Sequence, residues 1–223
     1  YRVPVLAPSS VSEAIELVRD AFVLAERYRT PVLLLADGII GQAMEPVKPG
    51  FRALERTQPD WVLEGAAGRG PRVVKSMHLH PEDLERHNID LQAIYAEITA
   101  REKRWAGESL DGAEVVVVAY GTAARIARTA VERAREAGLR AGLFRPITLW
   151  PFPAEALYEA ARDARAVLAV EMSAGQMVED VRLAIEGAVP VFHHGRMGGM
   201  VPSPDEVVDA MRHAWSTSDG GAS

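Results

Sequence analysis

The clearest signal along the chain is a change of hydrophobic period. Short runs that are apolar at every position alternate with longer stretches that are apolar at every third or fourth position. These are the marks of buried strands and one-sided helices. VPVLA (residues 3–7) reads as a buried strand. Ser10 and Glu13 then give the S-x-x-E spacing of a capping box. The helix after them places Ala14, Leu17, Val18, Ala21, Phe22 and Ala25 on one face. PVLLLA (31–36) is a second strand, apolar on both faces as in a parallel sheet covered by helices.

From Asp37 to about Gly112 the pattern loosens, and MEPVKPGF and EGAAGRGPR read as a linker or long excursion. Inside it, a helix is predicted near 81–105, with Pro81 at its first position and Leu84, Leu91, Ile94, Tyr95 and Ile98 as its apolar stripe. The alternation resumes at Ala113. EVVVVAY is a continuous apolar strand, and the helix after Gly121 packs Ala123, Ile126, Ala127, Ala130, Val131 and Ala134, with Gly138 at its left-handed cap. RAGLF is a strand, followed by the proline-rich connection RPITLWPFP and a helix from about Ala154 to Asp163. AVLAV (166–170) is a strand, Ser173 and Gln176 form an S-x-x-Q box, and VPVFH is the last strand. Ser203-Pro204-Asp205-Glu206 opens the final helix, and residues 216–223 read as a disordered tail. The order predicts an α/β fold with three layers, α/β/α. Function in such sheets gathers at the carboxyl ends of the strands. Here that edge holds Tyr120 to Thr122, Arg145 to Phe152, Glu171 to Gln176 and His193 to Gly199.

Composition narrows the function classes. The chain has 223 residues, 48% hydrophobic and 25% charged, and a net charge of −6, so no basic footprint for nucleic acid or anionic lipid is present. The apolar runs are too short to span a bilayer, and no signal-peptide pattern opens the chain, which makes a cytoplasmic setting the expectation. There are no cysteines. That excludes disulfides, thiolate zinc sites and an iron–sulfur cluster held by this chain itself. A first residue of Tyr1 rather than Met points to a piece of a longer polypeptide.

The candidate chemistry is sparse. Gly121 and Thr122 open a helix whose free amides could bind an anion, but neither nucleotide signature is met, and a plain capped turn is the favoured reading. Arg196 with Gly198 and Gly199 could fork onto a carboxylate or phosphate, or form an ordinary surface loop. Glu171 could be a base, a partner contact, or an acid paired with Arg145 or Arg196; the ion pair is favoured. His78 and His80 form an H-x-H pair with no evident third ligand, so no metal site is expected. His193 and His194 are adjacent on a strand end and point to opposite faces. Ser173 lacks the G-x-S-x-G elbow and reads as an N-cap. No catalytic constellation is complete.

LAPSSVSEAIELVRDAFVLAERYRTPVLLLADGIIGQAMEPV, EVVVVAYGTAARIA, GLFRPITLWPFP, VEMSAGQMVEDVRLAIEG and GRMGGMVPSPDEV, in that order, resemble the alpha subunit of 2-oxoacid:ferredoxin oxidoreductases, of the 2-oxoisovalerate or 2-oxoglutarate type. The resemblance implies that residues 1–47 end a pyrimidine-binding domain of a thiamine enzyme, with the last strand–helix–strand. It implies a linker over 48–112 and a transketolase C-terminal-like domain over 113–215. The complete enzyme would decarboxylate a 2-oxoacid on thiamine diphosphate with magnesium, send electrons through iron–sulfur clusters to ferredoxin, and form an acyl-coenzyme A. The cofactor-activating glutamate would precede Tyr1. This chain alone is then expected to hold none of these cofactors and to be inactive. Its expected partners are the beta and other subunits, with ferredoxin reached indirectly and a homodimer possible. Arg145, Trp150, Phe152, Glu171 and Gln176 are the expected interface residues. Two other readings stand beside this one: a transketolase-like or 2-oxoacid dehydrogenase component, and a non-catalytic binding module that contacts coenzyme A or a partner chain.

Overall fold

The computed structural model describes residues 2–47, 59 and 61–218. Part of the expected linker (48–58 and 60) and the end of the expected tail (219–223) lie outside these residues. The first elements are β1 (Val5–Leu6), α1 (Val11–Tyr28), β2 (Leu33–Leu34), α2 (Gly38–Gln42) and α3 (Pro81–Arg101). Next come β3 (Trp105–Glu108), β4 (Val115–Ala119), α4 (Gly121–Glu136), β5 (Ala141–Pro146) and β6 (Thr148–Trp150). The chain continues through α5 (Ala154–Ala161), β7 (Ala166–Glu171), α6 (Met177–Ile185), β8 (Val191–Gly195) and α7 (Pro204–Thr217).

The larger sheet has the order β3-β5-β4-β7-β8, parallel throughout except for β3. Its centre is the run VVVVA of β4, β-branched residues that suit a pleated strand covered on both faces. Val115, Val117 and Ala119 face the layer that contains α4 and α7, while Val116 and Val118 face α5 and α6. The alternation follows from the two-residue period of a strand. On α4 the matching stripe is Ala123, Ala127, Ala130 and Ala134, small enough to bring the helix close to the sheet. Phe144 and Leu168 are almost fully buried, which removes roughly 2 kcal/mol of exposed apolar surface each. The three α/β/α layers are therefore as expected. Among the described residues, no helix is long and apolar enough to cross a membrane.

A smaller sheet has the order β2-β1-β6. Its core is Leu6, Leu17, Leu24, Tyr28 and Ile98. The expected face of α1 is rotated: Val18 and Phe22 are exposed, while Leu24 and Tyr28 are buried. The apolar residues of α1 occupy a broad arc, so period alone could not choose which part of that arc packs inward. β2 lies at the edge of the smaller sheet, and Leu33 and Leu35 are exposed rather than covered.

Other boundaries moved for local reasons. The helix expected near 81–105 stops at Arg101 because Glu102 leaves it, buried, to accept hydrogen bonds from Tyr28 Oη (2.7 Å) and Arg27 Nη1 (2.9 Å). The chain then forms β3 against β5, where Trp105 stacks on Phe144. The larger sheet therefore begins inside the stretch read as linker. The final helix runs through Thr217, into the stretch read as a tail, and Ser216 and Ser218 hydroxyls donate to the carbonyls of His213 and Trp215. The Ser203–Glu206 capping box is present with both of its bonds.

The proline-rich connection is the hinge of the architecture. β5 belongs to the larger sheet, and β6, one residue beyond it, pairs antiparallel with β1 in the smaller one. Pro146 ends the first ladder, so the chain is free to change sheets.

Candidate functional site

The carboxyl ends of β2, β4 and β7 converge on a crevice of about 200 Å³ lined by Asp37, Tyr120, Glu171, Met172, Ser173 and Gln176. Asp37 follows β2 and caps α2, accepting from the amides of Ile39 (3.0 Å) and Ile40 (3.1 Å). The same carboxylate accepts from the Thr122 amide (2.8 Å) and the Thr122 hydroxyl (2.7 Å) at the start of α4. Gly121 sits at φ +60°, and a Cβ there would lie 2.8 Å from Asp37 Oδ2, so glycine permits the approach. Burial would push the Asp37 carboxyl up, but the bonds from Thr122, Ile40 and Ile39 outweigh it and hold the group below its ordinary range.

Glu171 ends β7 with a fully buried side chain. It pairs with neither Arg145 nor Arg196, the partners expected from sequence. Arg145 binds Glu13, and Arg196 lies 3.4 Å from Glu206. Instead Glu171 accepts from Ser173 Oγ (2.7 Å) and the amides of Gln176 (3.0 Å), Met177 (3.1 Å) and Val178 (3.1 Å). It therefore caps α6 in place of the expected Ser173–Gln176 box, whose bonds do not form. Ser173 serves as a relay, donating to Glu171 and accepting from the Gly175 amide. Burial alone would raise the Glu171 carboxyl, yet Ser173 and the three amides keep it lowered. Between the two acids, Tyr120 has its phenol raised by burial and then by the charges of Glu171 and Asp37.

The site brings Gly121, Thr122, Glu171 and Gln176 together. A neighbouring groove of about 610 Å³ adds Gly199, alongside Ile39, Met172 and Met200. His193 and His194 do diverge: His193 Nε2 lies 3.5 Å from Glu171, while burial lowers the His194 imidazole despite the opposing charge of Glu206.

The remaining expected residues lie elsewhere. Arg145 binds Glu13 through two nitrogens (2.9 and 3.1 Å) beside a polar cleft of about 540 Å³ that also holds Arg125 and Arg128. Glu13 was expected to reach back to Ser10. It accepts instead from Ser9 and Arg145, so only the Ser10 half of that box forms. Glu45 closes the start of α1 by accepting from the Val11 amide (2.9 Å). Trp150 packs edge-on against Tyr95 (centroids 5.8 Å apart) and on the core of the smaller sheet, while Phe152 packs on the core under α5 and α6.

Asp37 and Glu45 are the capping acids that sequence reading missed. Asp37 carried a signal, an acid between a strand and a glycine, which is an N-cap pattern. Glu45 carried none.

This arrangement binds helix amides with internal carboxylates. Both oxygens of Glu171 accept hydrogen bonds, and α1, α4 and α6 each present a carboxylate where a bound anion would sit.

The comparisons with known proteins agree with this architecture. Residues 1–96 match the family "Pyruvate flavodoxin/ferredoxin oxidoreductase, thiamine diP-bdg", and residues 113–207 match "Pyruvate:ferredoxin oxidoreductase core domain II". Ketoisovalerate oxidoreductase subunit VorB of Methanothermobacter marburgensis is 44% identical over 200 residues, covering 89% of this chain and 56% of the relative. 2-Oxoglutarate synthase subunit KorA of the same organism is 32% identical over 240 residues, covering 94% and 63%. The chain thus spans about three-fifths of the length of these relatives. Among solved structures, 2-oxoglutarate:ferredoxin oxidoreductase from Magnetococcus marinus, with 2-oxoglutarate, coenzyme A and succinyl-CoA bound, superposes with a TM-score of 0.79. It is 19% identical and covers 95% of this chain and 42% of that one, a likeness of fold. On the two consecutive family matches and these relatives, the chain belongs to the subunits of the 2-oxoacid:ferredoxin oxidoreductases.

Proposed function

We propose that this chain works within a thiamine diphosphate-dependent enzyme that oxidatively decarboxylates a 2-oxoacid. In that reaction the bond to the carboxylate breaks and carbon dioxide leaves. Two electrons pass to ferredoxin, and the acyl group passes to the sulfur of coenzyme A. The residues described here serve as scaffold and as a seat for neighbouring domains and subunits. Residues 1–47 close the pyrimidine-type domain and residues 113–215 form the second domain, with the span between them as connection. The identity of 44% to a ketoisovalerate subunit, against 32% to a 2-oxoglutarate subunit, favours a branched-chain 2-oxoacid.

The observation that carries the scaffold role is the closed carboxyl edge. A diphosphate with magnesium needs free amide or cationic donors and a set of oxygen ligands. The donors at α4 and α6 are taken by Asp37 and Glu171. Among the described residues, no group of three or more His, Asp or Glu could hold a metal. This occupancy supports our reading that the diphosphate is held by the rest of the assembly.

Titration calorimetry of the purified chain with thiamine diphosphate and magnesium is expected to show no binding up to millimolar concentrations. Joined to the complete subunit and its partners, the same residues should support ferredoxin reduction, faster with 2-oxoisovalerate than with 2-oxoglutarate. Turnover by the isolated chain, or thiamine diphosphate carried through its purification, would overturn the proposal.

A further inference from the structure

We draw no further inference here: the strongest candidate, the groove of about 610 Å³ between α2 and the loop that leads into α7, lined by Ile39, Met172, Met200 and Val201, carries nothing because nothing in the structure shows what covers it.

Discussion

Glu171 shows how a residue that looks reactive can be committed to structure. Its carboxylate is removed from water and given four donors, so its charge is solvated by the chain itself. Glu171→Gln keeps the size but turns an amide group toward some of those donors and removes the charge. The expected cost is about 3 kcal/mol, in the range for breaking a buried charged network. The pH dependence follows from the lowered carboxyl. A carboxyl lowered in the folded state adds stability above its unfolded value, and that contribution is lost as pH falls through the folded value. Urea denaturation should give a constant gap between wild type and Glu171→Gln above about pH 5, shrinking as pH drops below the ordinary glutamate value of about 4.3. A gap that widens in acid, or none at neutral pH, would show that the network is not what holds α6.

At the scale of elements, the sequence was legible where one face of a strand or helix had a single possible use. The continuous apolar runs of β4 and β7, and the alanine stripe of α4, read through to the structure because a parallel sheet covered on both sides admits little else. β3, β6 and α2 escaped because they are too short to carry a period; the partner strand, or in α2 the Asp37 cap, makes them. The boxes at Ser10 and Ser173 were half legible: the spacing was present, but the distant Arg145 claimed Glu13, and the nearby Glu171 took the Ser173 hydroxyl and the Gln176 amide. Glu13 and Arg145 are separated by 132 positions, and nothing local in either marks the other. The element that repays a test is β6, where Trp150 is half-buried against Tyr95 and the smaller core. Trp150→Ala should lower stability by about 2 kcal/mol, less than a fully buried ring because part of the indole stays in water. Thermal melting of the chain checks this. Unchanged melting, with weaker association to partner subunits, would instead make Trp150 an anchor for those subunits.

For the whole molecule, the question is whether two sheets behave as one body. The smaller sheet cannot be completed from the first 47 residues, since its third strand, β6, comes from beyond β5. Polar contacts that cross between the units, among the described residues, include Asp37 with Thr122, Glu13 with Arg145, Glu45 with Arg125, and Asp20 with Arg104. The Glu13–Arg145 pair has side chains only 20% and 10% exposed, so removing one partner leaves a poorly hydrated charge, at a cost of about 3 kcal/mol. A strand supplied by the other unit makes unfolding of the smaller sheet expose β6 and the apolar side of α3 at once. Single-tryptophan variants can report each side separately, Trp150 from the smaller sheet and Trp215 from the packing around α7. Their urea transitions should coincide with each other and with far-ultraviolet circular dichroism, as in a two-state body. Arg145→Ala should move all three to lower urea together. If Arg145→Ala shifts the Trp150 transition and leaves that of Trp215 in place, the units unfold separately, and the strand exchange between sheets is a contact rather than a weld.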